Sequence, residues 1–174
     1  FLPGLARPAA RAPAEPPEWS TTASTADGWI VRGTGRLAAP VDLSTARLEM
    51  RYDREWRPIS LEVDGTLRGR PLIMRTAFAG GKAVTDLTQA GQQTQKIDVV
   101  SADPVVLPNM FFCAYEALAM RLRGLTVPGE LKAYNVPQVE IVMRVTASGS
   151  ERIQTAGRAV PATRLALTLE NPGN

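Results

Sequence analysis

Leu107-Pro-Asn-Met-Phe-Phe-Cys-Ala-Tyr-Glu-Ala-Leu-Ala-Met-Arg-Leu-Arg123 is the one long run in this chain that reads as an α-helix. Asn109 is suited to cap its start, because its side-chain oxygen can accept from an orphan backbone N–H, and Pro108 discourages an earlier start. Gly124 stops it, and Arg121 and Arg123 place positive charge at the negative end of the helix dipole. Between the caps, Met110, Phe111, Phe112, Ala114, Tyr115, Ala117, Leu118, Ala119, Met120 and Leu122 cover nearly the whole circumference. A helix apolar on every side must be wrapped. At about 1.5 Å per residue it is roughly 20 Å long, short of a ~30 Å hydrocarbon layer. It is therefore expected to be a core helix over 109–123, and no transmembrane span.

The flanking segments alternate with period two. In Ala46 to Asp53, Leu48, Met50 and Tyr52 are assigned to the core and Arg47, Glu49, Arg51 and Asp53 to water, the pattern of a half-buried antiparallel strand. The turn from Asp53 to Pro58 returns the chain into Ile59, Leu61 and Val63. Upstream, Trp29, Val31 and Leu37 alternate with Arg32, Thr34 and Arg36, and Gly33 and Gly35 mark a bend or bulge. Asp64-Gly65 reads as a turn or bulge, and Gly80-Gly81-Lys82 and Ser148-Gly149 read as turns. Thr88 to Gln95 is polar on both faces and suits a sheet edge or flap. Val139, Ile141, Met143 and Val145, and later Leu165, Leu167 and Leu169, supply the closing inward stripes. The expected fold is mainly β (α+β): a strongly curved antiparallel sheet or open β-roll of about ten strands wrapping the central helix.

Residues 1–27 begin with a Pro/Ala-rich run without period and are expected to be a linker, with 28–174 a single domain. The run is read as the stub behind a removed signal peptide, which would place the protein outside the cytoplasm, in the periplasm or beyond; an arbitrary starting point is the alternative. Asn171-Pro-Gly-Asn174 reads as a hairpin turn without its return strand. That points to a missing C-terminal hairpin and to a sheet edge where a dimer partner or a further domain could pair.

A chain of 174 residues with a formal charge of +3 is too mildly basic to predict nucleic-acid binding. It contains no histidine and a single cysteine, Cys113. Histidine-dependent nucleophiles, the usual zinc sites and intrachain disulfides are thereby excluded. Glu49, Asp53, Glu55, Glu62 and Asp64 alternate out of the core, so neither acid–base catalysis nor calcium binding is expected of them. Gly33-Thr34-Gly35 and Gly80-Gly81 lack the helix and Lys-Ser/Thr pair of a phosphate loop, and no Gly-x-Ser-x-Gly occurs. Trp29, Tyr52 and Trp56 could form an aromatic platform, although separate packing is the simpler reading. No catalytic residue, metal or cofactor is assigned to this chain.

The order of strand hairpins, Gln/Thr flap, Val105-Val-Leu-Pro-Asn-Met-Phe-Phe-Cys-Ala-Tyr-Glu-Ala-Leu-Ala119, Pro137-Gln-Val-Glu-Ile141 and Glu151-Arg-Ile-Gln-Thr155 resembles exported bacterial β-domains of the DUF3108-like, spiral β-roll group. More distantly it is similar to lipoprotein carriers of the LolA and LppX kind. The resemblance covers about 29–174 and carries no catalytic signature. It implies a non-catalytic exported domain that holds a lipid or other hydrophobic ligand between sheet and helix, lined by Met50, Met74, Phe78, Phe111, Tyr115, Leu118 and Met143. A core simply filled by these residues is the competing expectation. Similar domains also precede secreted α/β-hydrolases, so an inert accessory module of a larger serine esterase is the alternative function.

Overall fold

A computed structural model describes residues 19–107 and 115–170. Its elements are β1 (Ser20–Ser24), β2 (Gly28–Leu37), β3 (Leu43–Asp53), β4 (Pro58–Leu67), β5 (Arg70–Ala79), β6 (Lys82–Gln89), β7 (Gln92–Val99), β8 (Val105–Leu107), α1 (Tyr115–Arg123), β9 (Gly129–Asn135), β10 (Val139–Thr155) and β11 (Arg158–Glu170). The chain is mainly β, as its alternation predicts. Its strands form two sheets: a seven-stranded meander in the order β1 to β7, and a four-stranded sheet ordered β11-β10-β9-β8. The meander is antiparallel throughout, and β8 lies parallel to β9.

Short hairpins build the meander because tight left-handed turns fall at the right intervals. Ala90 (φ 50°) and Gly91 (φ 83°) form one such two-residue turn, and Gly80 and Gly81 form another. Positive φ at both central positions matches the twist of the flanking strands. Of the bend or bulge expected at Gly33 to Gly35, the bulge is present, as a register shift against β3. Asp64-Gly65 is the expected bulge site and not a turn: the register with β3 shifts there, between Thr45 and Arg47, while β4 runs on to Leu67 and the chain reverses at Arg68-Gly69, again with positive φ. Glycine is needed at 65 for another reason. A Cβ there would stand 2.2 Å from the Ser44 carbonyl oxygen, so only glycine lets β3 approach. Ser148-Gly149 is likewise a bulge inside β10 and not a turn; the reversal comes at Ala156-Gly157. Residues 20–24, within the expected linker, form β1 and pair with β2. The Ser-Thr-Thr-Ala-Ser stretch has no apolar stripe to reveal a strand at a rim.

The core falls into two clusters, of which the larger is shared by the two sheets. The larger gathers Val31, Leu48, Met50, Leu61, Val63 and Met74 from the meander with Val106 and Tyr134 from the small sheet and Ala117 from α1. The smaller joins Val105, Ala133, Met143 and Val145 to Leu118. Neighbouring residues Ala133 and Tyr134 enter different clusters, as do Val105 and Val106. The β8–β9 part of the small sheet is thus apolar on both faces, the usual consequence of cover on each side.

The helix differs from expectation. Residues 109–114 of the predicted 109–123 lie outside the described residues. In Tyr115–Arg123, Ala117 and Leu118 are buried while Tyr115 is 48% exposed. This part sits at the seam of the two clusters through one side and is not enclosed all round. Thr22 on β1 donates a hydrogen bond to the Glu116 carboxylate, tying the sheet rim to the helix.

Candidate functional site

The expected ligand lining separates into two places. Met50 and Met74 are buried within the larger cluster, with Phe78 packed against it edge-on to Tyr134 at 6.0 Å. Leu118 and Met143 belong to the smaller cluster between the small sheet and α1. Tyr115 is half-exposed at the start of the described helix, and Phe111 lies outside the described residues. The buried members of the set among the described residues therefore fall in two clusters. Met50, at the centre of the meander, is packed and entirely buried.

The smaller cluster is the more open. Leu167 and Leu169 on β11 pair with Val145 and Met143 on β10, so all four side chains stand on one face. Val145 and Met143 are buried, yet Leu167 and Leu169 are 41% and 55% exposed. The apolar floor under α1 thus continues out to the sheet edge. Beyond the point where β9 ends at Gly129, opposite Val145, β10 and β11 run on as a two-stranded ribbon to Thr155 and Arg158. Ile153 and Val160 face each other there, both exposed.

The opposite face of the meander carries a charged rung. Thr21, Arg32, Glu49, Glu62, Arg75, Asp86 and Gln95 lie in register across all seven strands. Glu49, assigned to water by alternation, is only 3% exposed. It accepts from Arg32 Nε at 2.8 Å, Arg51 Nε at 3.0 Å and Arg47 Nη2 at 3.3 Å. Burial alone would raise its carboxyl pKa, but the three guanidinium groups outweigh burial and hold it below the ordinary glutamate range. Arg47 also reaches Glu62 at 3.4 Å, placing a cation between two carboxylates on adjacent strands, and Arg75 meets Asp64 at 2.6 Å. A carboxylate so fully committed to cations is a poor proton acceptor. The rung is a brace across the sheet.

The seam between the sheets is also polar. Buried Tyr134 donates to Asp98 at 2.6 Å, Lys96 donates to the Pro137 and Gln138 carbonyl oxygens at 2.8 Å each, and Glu140 accepts from Ser101 N and Oγ. Burial, then the Asp98 carboxylate, push the Tyr134 hydroxyl well above the ordinary phenol range. That is opposite to what a general base or nucleophile requires. This cluster is a latch.

Trp29 stacks on Trp56 at 5.0 Å and 12°, and Tyr52 tilts against Trp56 at 5.6 Å. The three aromatics do come together, unlike the expected separate packing. Tyr52 and Trp56 are buried, which makes the group part of the core. Asp53 is occupied by the Glu55 and Arg57 amides, and among the described residues no three acidic or thiol side chains converge as a metal site. None of the described helices is long and apolar enough to cross a membrane. The chain is thus a two-sheet, mainly β domain with one short described helix, and it matches no family model, no curated protein and no solved structure.

Proposed function

We propose that this chain is a non-catalytic, exported β-domain that binds a hydrophobic ligand, an acyl chain or a molecule of like character, between the small sheet and α1. In this reading the sheet and helix act as the wrapped β-roll of the carrier-like domains that the sequence resembles. The observation that carries it is the continuity of Met143 and Val145 with half-exposed Leu167 and Leu169 on one face. An apolar floor that is dry at one end and open at the other lets an alkyl chain enter from the edge and bury itself against Leu118. Each methylene so buried contributes about 0.8 kcal/mol. Native mass spectrometry after gentle purification tests this: the proposal predicts a lipid-sized mass adduct that Leu167→Asp removes. A wild-type chain without adduct, and without affinity for added long-chain fatty acid, contradicts it.

The second reading is an accessory module preceding a secreted α/β-hydrolase. The β10–β11 ribbon favours it, since a two-stranded arm with exposed Ile153 and Val160 is marginally stable in water and gains by docking. The reading frame beyond Asn174 decides: a downstream Gly-x-Ser-x-Gly supports the module, and a stop codon without one removes it.

A further inference from the structure

The meander has two edge strands, β1 and β7, and the hydrogen-bonding phase of β7 is fixed. Gln89 and Gln92 flank the two-residue turn, and Val100 N donates to Gly81 O at 2.9 Å at the other end of the same register. Odd-numbered residues of β6 therefore make the closely bonded pairs. Gln93, Gln95, Ile97 and Val99 on β7 turn both N–H and C=O away from β6. Among the described residues none of these four makes another backbone hydrogen bond. The edge lacks two of the usual protections, since its register with β6 is continuous, without a bulge, and its sequence holds no proline; its charges, Lys96 and Asp98, are turned to the small sheet, where they meet Pro137, Gln138 and Tyr134. Ile97 and Val99 are 58% and 83% exposed. The β11 edge differs. Counting from Thr155 and Arg158 at its turn, Pro161 falls in the open pair with Arg152, so its donor-less nitrogen faces outward and blocks pairing there.

We propose that β7 is the interface of a homodimer in which two meanders join edge to edge, antiparallel, about a two-fold axis at Ile97. A second copy fits because the strand is self-complementary in this register. Ile97 pairs with Ile97 of the second copy, Gln95 with Val99, and Lys96 stands opposite Asp98. Shifting the axis by one residue sets Lys96 against Lys96 or Asp98 against Asp98, and like charges directly opposed are unfavourable. Pairing at Ile97 and at the two Gln95–Val99 positions makes about six backbone hydrogen bonds and continues the sheet through the axis.

Sedimentation equilibrium of the full chain over a concentration series tests the proposal, comparing wild type with Ile97→Pro. Because the Ile97 N–H points away from β6, proline there removes no bond inside the protomer. The expected result is a reversible wild-type dimer, with Ile97→Pro weakened by about 100-fold or more in Kd and its circular dichroism unchanged. A chain that remains monomeric to ~1 mM, or an Ile97→Pro variant that dimerises like wild type, overturns it. Register is read separately in a Cys113→Ser background, which also decides the matter should the proline variant fail to fold. Ile97→Cys should cross-link to itself with a thiol reagent of roughly 8 Å span. Val99→Cys should not, since its two copies lie about 13 Å apart along the strands, but it should cross-link to Gln95→Cys. Equal self-linking by Val99→Cys overturns the stated register and with it the proposal.

Discussion

Replacing Glu49 by glutamine removes a negative charge from a site only 3% exposed while keeping the side chain's shape. Three arginines that converge on the carboxylate, Arg32, Arg47 and Arg51, then lose their shared anion. Removing one member of a buried ion pair costs about 3–5 kcal/mol when the partner stays buried. Here the arginine side chains are 47%, 51% and 52% exposed and can rehydrate, so the loss is reduced to about 2–3 kcal/mol. For a domain of this size that is a fall in Tm of roughly 5–10 °C. Urea and thermal unfolding at neutral pH measure it. The pH dependence adds a second check. A carboxylate whose pKa is lowered by folding contributes stability that is fully present above the unfolded value and is lost as pH falls through the folded one. The gap between wild type and Glu49→Gln should therefore be widest near pH 7 and narrow below about pH 4. A variant within 0.5 kcal/mol of wild type at pH 7, or a gap unchanged at pH 3, would refute the brace.

Three further outcomes follow from other contacts. Tyr134→Phe leaves Asp98 without its 2.6 Å donor and should cost about 1.5–3 kcal/mol in urea unfolding. In wild type, because folding raises the Tyr134 pKa, this tyrosine's stabilisation is complete below the unfolded value near 10 and falls as pH climbs above it. Ultraviolet titration should thus find a phenol that ionises only as the chain unfolds in alkali. Gly65→Ala drives a Cβ into the Ser44 carbonyl oxygen and should destabilise by about 3 kcal/mol or more, with amide exchange accelerating in β3 and β4. Ala90→Asn should stabilise by about 0.5–1 kcal/mol in thermal melts, because Ala90 holds φ 50° at a position that suits asparagine before Gly91.

Alternation disclosed most strands, since Leu48, Met50 and Tyr52 do point inward and the Gly80-Gly81 turn does reverse the chain. It failed where the signal was not alternation. Glu49 is buried by arginines on β2 and β3, so its cover comes from neighbouring charges that hydropathy assigns to water. Gly65 reads as a turn or bulge residue in sequence, and a register shift does fall there, but the close approach of β3 that demands glycine comes from another strand. Splitting of the strands between two sheets turns on β8, three residues long and parallel to β9, too short for any periodicity to register. Likewise, Met50 and Met143 of the expected lining have the same chemistry but occupy different clusters, and composition carries no information on which sheet a residue joins.

The five methionines offer the most direct test of ligand binding between the small sheet and α1. In a chain carrying 13C-methyl methionine, titration with a long-chain fatty acid should shift the Met143 methyl resonance, with the Met50 and Met74 methyls, packed in the larger cluster, staying in place. Shifts at Met50 and Met74 with Met143 unmoved, or no shift at any methyl, would contradict the account.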